Sequence, residues 1–162
     1  RRDWEWIITF HPKITDHSII NKYQKLAEKF DNVSFERNEG LKTFQRADVM
    51  LCDSSSIILE FMLLSKPVVT FKNTNPGPHL IDVNECDAVE PALETALTRP
   101  KSLMEAIDTY TLNHEAHRDG NNCSRVLDAV DHFKSNFEGR IKAKPLNLWR
   151  KFRLRNKLKY WK

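Results

Sequence analysis

The sequence predicts an α/β fold, a Rossmann-like parallel sheet with helices on both faces. Short apolar runs at 6–10 (WIITF), 33–35 (VSF), 49–52 (VMLC) and 67–71 (PVVTF) alternate with segments of helical spacing. Such alternation is how strands joined by crossover helices read, and it makes neighbouring strands parallel and covers the sheet on both sides. The stretch Ala47–Phe71, ADVMLCDSSSIILEFMLLSKPVVTF, holds the unit in one piece: apolar strand, serine-rich turn, nearly all-apolar helix, second apolar strand. The totals agree, since 162 residues, 40% hydrophobic and 30% charged, suit one globular domain with a proper core.

Taken in order, Trp6–Phe10 reads as a buried strand ended by His11-Pro12. Asp16 or Ser18 caps a helix running to about Phe30, whose apolar face is Ile19, Ile20, Tyr23, Leu26, Ala27 and Phe30. Val33–Phe35 is a second strand after the turn at Asp31-Asn32, and 40–47 is a short helix. The serine-turn unit follows, and then a loop at 72–78 rich in Asn, Pro and Gly. Helices are expected over 90–97 and 101–110, split by Arg99-Pro100. The run Asp119-Gly120-Asn121-Asn122 breaks the chain before a last body helix over 123–137.

Charge divides the chain at residue 138. Residues 139–162 carry ten of the 26 Lys and Arg and none of the 22 acids, so this tail is +10 and the body −6. The expected organisation is therefore a nucleotide-binding body, 1–138, and a basic, aromatic-rich tail, 139–162. From Leu146 to Lys162, Trp149, Phe152, Tyr160 and Trp161 alternate with basic residues. A basic helix with interfacial aromatics suits an anionic membrane surface, and that is the partner expected for residues 146–162. Nucleic acid is not expected, because the body is acidic and carries no RNA-binding motif. No apolar run reaches the length of a membrane span, and no N-terminal signal pattern is present. Cys52, Cys86 and Cys123 are widely spaced and suggest a reducing compartment. A chain that opens without Met, almost on a core strand, reads as a fragment of something longer.

The serine turn is the feature most suited to chemistry. Ser54, Ser55 and Ser56 stand where a helix begins, and a helix N-terminus offers unpaired N–H groups and partial positive charge to an anion. The alternative is a plain N-cap. Asp53 reads as a turn-capping residue. Glu60 lies among apolar residues, where a carboxylate needs partners. A ribose diol or a neighbouring Lys or Arg would supply them. His11 and Ser54 both follow strands, and ligands in parallel α/β sheets bind beyond the carboxyl ends of strands, so the two are expected on one rim. His79, in the Pro-Gly loop, is a candidate substrate contact at the same rim. No metal is expected, since no DxD or His/Cys cluster occurs.

The run ADVMLCDSSSIILEFMLLSKPVVTF, after an upstream strand ending in HP, resembles the C-terminal, nucleotide-binding half of GT-B glycosyltransferase-like enzymes. The family it resembles most is the CDP-glycerol:poly(glycerophosphate) glycerophosphotransferases of teichoic acid and capsule-type polymer synthesis. DG-NNCS-R at 119–125 is similar to a further family element, and the resemblance spans about residues 5–135. It implies a transferase with a nucleotide-diphosphate donor such as CDP-glycerol and no cofactor. Ser54, Ser55 and Ser56 would hold the pyrophosphate, Glu60 the ribose, and Arg125 would add charge against phosphate, unless it pairs with Asp119 or Asp128. His11 would be the catalytic histidine, acting on the acceptor hydroxyl or steadying the transferred phosphoryl; the bland reading is a strand-end histidine. The implied partners are a lipid-linked or polymer acceptor and an N-terminal GT-B domain, onto which the tail helix could also pack. The implied place is the cytoplasm, at the inner face of the cell membrane. The loop 73–82 departs from the acidic-then-Arg-Gly pattern of teichoic acid polymerases. A GT-B glycosyltransferase using a nucleotide sugar, and a non-catalytic nucleotide-binding or interaction module, are the alternatives.

Overall fold

The computed structural model describes residues 1–11, 13–37, 40–140, 142 and 145–161. They form two compact units, Arg1–Ala116 and His117–Lys162. Packing thus divides the chain at 116, ahead of the Asp119-Gly120 turn, whereas charge divides it at 138.

The first unit is α/β with small parallel sheets flanked by helices. Strand β1 (Trp6–Ile8) pairs in parallel with β2 (Val33–Phe35), and helix α1 (His17–Ala27) makes the crossover between them. Helix α2 (Gly40–Arg46) leads to β3 (Met50–Cys52). Helix α3 (Ile57–Met62) then crosses to β4 (Val68–Phe71), which pairs in parallel with β3 on one side and with β5 (Ile81–Val83) on the other. The sheet expected to be continuous is two sheets, β1-β2 and β3-β4-β5. β1 joins the larger sheet by side chains instead, because Trp4 and Trp6 pack against Val69, Ala92, Leu93 and Ala96.

Strand alternation explains why helices cover both faces of the larger sheet. Adjacent residues of a strand point to opposite faces, and Val68 and Val69 of β4 are both fully buried. Val68 meets Phe44 of α2, Ile58, Phe61 and Met62 of α3, and Leu103 and Ile107 of α5 (Lys101–His114). Val69 meets Ala92, Leu93 and Ala96 of α4 (Val89–Leu97). Fully burying side chains such as Phe61 and Met62 contributes roughly 1.5–3 kcal/mol each.

Two expectations about faces change. Helix α1 does start at Asp16, whose carboxylate accepts from the Ser18 N–H at 2.8 Å, but it ends at Ala27. Of the expected apolar face only Ile20 and Ala27 are buried; Ile19, Leu26 and Phe30 stay exposed, and Tyr23 packs edge-on against Phe10. The strand β5 was hidden in sequence by the loop before it. It is fixed by Asp82, which accepts from the Thr70 hydroxyl at 2.7 Å and the Asn73 N–H at 3.0 Å.

The second unit contains α6 (Asn122–Phe137) and α7 (Leu148–Lys157). Neither buries a side chain. No helix among the described residues is long and apolar enough to cross a membrane.

Candidate functional site

Strand β3 ends at Cys52 and α3 begins at Ile57, so the turn of Asp53 and the three serines stands at the carboxyl end of the parallel sheet. The loop leaving the neighbouring strand β4 is tied to it. Thr74 donates to Ser54 Oγ from its N–H at 2.8 Å and from its hydroxyl at 3.0 Å. With two donors directed at that oxygen, the proton of Ser54 is free to point elsewhere. Ser55 Oγ receives only a long contact from the Ile57 N–H, 3.4 Å. Ser56 occupies the N-cap position with helical backbone angles, and its hydroxyl makes no capping bond. The N–H groups of Ser55 and Ser56 have no hydrogen-bond partner among the described residues. The plain N-cap is therefore not what these serines form, and the turn presents free hydroxyl and amide donors.

Glu60 sits on the outside of α3 and is exposed. A six-residue helix lying on a sheet buries one face, here Ile58, Phe61 and Met62, and that turns Glu60 to solvent. The argument from a buried carboxylate falls, and among the described residues no ion pair to Lys or Arg replaces it. Glu60 remains one turn beyond the serines, its carboxylate without a partner among the described residues. Asp53 is exposed and caps nothing among the described residues. Burial, with the Asp53 carboxylate adding to it, pushes the Cys52 thiol up to about 11, so that cysteine is a poor nucleophile.

Lys66, of the Lys-Pro-Val run, has a structural task that the sequence did not disclose. Its ammonium donates to the carbonyls of Phe44 and Gln45, each at 2.8 Å, and of Ala47 at 2.6 Å. Those carbonyls close α2, where a cation is favoured by the orphan acceptors and the dipole.

His11 follows β1 in the two-stranded sheet, exposed, and its Nδ1 accepts from the Lys13 N–H at 3.1 Å. Pro12, the other half of the His-Pro pair, lies outside the described residues. Because Nδ1 is an acceptor, the neutral ring carries its proton on Nε2, which faces outward as a donor. No hydrogen bond or ion pair among the described residues joins His11 to the serine turn, and the two follow strands of different sheets. A shared rim on one continuous sheet is not formed.

His79 packs away from the serines, onto α5. Its ring stacks on Tyr110 with centroids 3.7 Å apart and planes 12° from parallel, and Tyr110 in turn meets His114 at 4.3 Å. Gly77 makes room for it: a Cβ there would lie 2.6 Å from His79 Cε1. Burial, and then the neighbouring His114, lower the His79 pKa below its ordinary value. An open hollow of about 480 Å³ adjoins the stack, lined by Pro78, Glu105, Tyr110 and Asn113 among others.

Comparison with protein-family models, with curated proteins and with solved structures finds no match to this chain. The functional reading therefore rests on the site itself. Arg125 belongs to the second unit and is already engaged. Its guanidinium forks onto the Asp119 carboxylate, with one arm at 2.9 Å from Oδ1, and also donates to Asn122 Oδ1 at 2.9 Å. That pair holds the Asp119 carboxyl well below the usual carboxylate range. Of the alternatives open in sequence, pairing with Asp119 is the one formed. Thr74 is the residue that sequence reasoning missed at the site, because nothing in a loop of Asn, Pro and Gly marks one position as a tether.

Proposed function

We propose that this chain is the donor-binding, C-terminal half of a GT-B-type transferase. In this reading it uses a nucleotide-diphosphate conjugate resembling CDP-glycerol to build a teichoic-acid or capsule-type surface polymer. One observation carries the reading. At the carboxyl end of a parallel sheet, the turn between β3 and α3 presents unsatisfied serine hydroxyls and amides, held in place by the β4 loop through Thr74. Ligands in open α/β sheets sit at that end, and clustered N–H and O–H donors suit diphosphate oxygens. Glu60, exposed and without a partner among the described residues, would accept from ribose hydroxyls.

The chemistry would be displacement at phosphorus. An acceptor hydroxyl oxygen attacks the glycerol-side phosphorus and gives up its proton to water, the bond to the bridging oxygen breaks, and CMP leaves with the bonding electrons. Ser55, Ser56 and their amides stabilise charge on the departing nucleotide, which is electrostatic catalysis. The Nε2–H of His11 suits donation to a phosphoryl oxygen better than removal of the acceptor's proton. The lipid-linked or polymer acceptor, and an N-terminal GT-B domain binding it, complete the scheme at the inner face of the cell membrane.

Calorimetric titration with CDP, UDP, ADP and CMP tests the donor. The reading expects diphosphates to bind more tightly than CMP, and CDP more tightly than UDP. Preference for UDP would move the assignment to a nucleotide-sugar glycosyltransferase, and equal binding of CMP and CDP would remove the diphosphate from the site.

A further inference from the structure

Helix α7 begins after Asn147, which turns the chain with left-handed angles (φ 50°, ψ 40°). Leu148, Trp149 and Phe152 share one of its faces at helical spacing. The Trp149 and Phe152 rings stack at 5.7 Å. Beyond the helix, Trp161 returns to set its ring edge-on against Phe152 at 5.5 Å. This aromatic cluster is open to solvent, with Trp149 at 76% and Trp161 at 57% exposure. Around it the charge has one sign. Arg150 and Lys157 lie opposite it with Leu154, Lys151 and Arg153 lie on its two flanks, Arg155 and Asn156 border the aromatics on their own face, and no acid occurs in residues 139–162.

We propose that residues 146–161 dock on an anionic phospholipid surface, α7 lying flat with Trp149, Phe152 and Trp161 inserted below the headgroups. Charge and shape together select this occupant. A second copy of the tail would bring like charges together. A nucleic-acid duplex would use the charges but leave the aromatic cluster in water. An anionic leaflet satisfies both, since aromatic rings settle at the headgroup level while Lys and Arg on the flanks extend to the phosphates. The surface stands on α7 alone and does not rest on the donor site; it supplies the attachment that a membrane-linked acceptor requires.

Vesicle co-sedimentation of the full chain tests it, with phosphatidylglycerol mixed into phosphatidylcholine against phosphatidylcholine alone. Binding is expected only to the anionic vesicles, weakening as salt rises. Lys151→Gln with Arg153→Gln and Arg155→Gln should weaken it by about tenfold or more, each charge near the surface adding its own attraction. Brominated lipid should quench tryptophan emission of the wild type and spare the Trp149→Phe, Trp161→Phe variant, which localises the inserted rings. Circular dichroism confirms that these variants fold, and their nucleotide titrations should match the wild type. Equal binding to neutral vesicles, sedimentation without quenching, or tighter binding to a DNA duplex than to anionic vesicles at matched salt would each overturn the proposal.

Discussion

The serine turn and the Asp119–Arg125 element were both expected from sequence to contact phosphate, yet they differ in how their polar groups are spent. At the turn, Ser55 and Ser56 keep amides without a partner among the described residues, Ser56 makes no cap, Ser55 Oγ takes only the long Ile57 contact, and Ser54 is engaged with Thr74. In the second element the described partners of Asp119 and Arg125 are local. Asp119 takes the Arg125 fork and the Asn121 N–H, and Gly120 makes the turn with φ +75°. A motif whose donors are satisfied within a few residues is a structural device. One whose donors stand open at a strand's carboxyl end has capacity left for a ligand. Sequence alone weighs the two equally, and hydrogen-bond accounting separates them.

The largest effect expected is on the open region. Ser55→Ala with Ser56→Ala should weaken CDP binding by about 1–3 kcal/mol, the scale of hydrogen bonds to a charged group. Arg125→Gln should leave that affinity unchanged; a comparable loss would mean that the closed element is not closed in function. Breaking the closed region itself should register as stability. Gly120→Ala places a side chain in the left-handed region at a cost of roughly 1–2 kcal/mol. With nothing within 4 Å of the added Cβ, that strain is the whole effect, read as lowered thermal stability of the α6 helix with no change in CDP affinity. Thr74→Val removes the hydroxyl half of the Ser54 tether, and about 0.5–1.5 kcal/mol should be lost from stability, affinity or both.

The smallest effect concerns His79, the site residue that packs elsewhere. Its folded pKa is depressed by burial and by His114, so the unfolded state binds its proton more readily. The stability this contributes is full above the ordinary histidine pKa and is lost as pH falls through the folded value. A His79→Gln variant should therefore show a flatter fall in melting temperature between pH 7.5 and 5 than the wild type. Parallel curves would contradict the packed stack.

Much of the fold was legible because its strands are apolar on both faces and its helices are punctuated. The VSF strand is found at the expected residues, and Asp16 caps α1 as its position before the helix suggests. The third strand of the larger sheet was not legible, since three residues with an acid in the middle carry too little pattern, and Asp82 is explained only by Thr70 across the ladder. Glu60 shows the opposite failure. Apolar neighbours on a short helix suggested burial, whereas one face of that helix suffices for the core. Lys66 was read as part of a motif and proves to close α2, a role that depends on where three distant carbonyls converge. The serine turn itself was legible, but that its amides are free is a property of the folded backbone.

Titration of the ¹⁵N-labelled chain with CDP, followed amide by amide, tests the contrast most directly. The account predicts that Ser54, Ser55, Ser56, Ile57 and Thr74 shift together in a saturating manner while Asn121 through Arg125 hold still. Shifts confined to the 119–125 element, or none at the serine turn under saturating CDP, would contradict it.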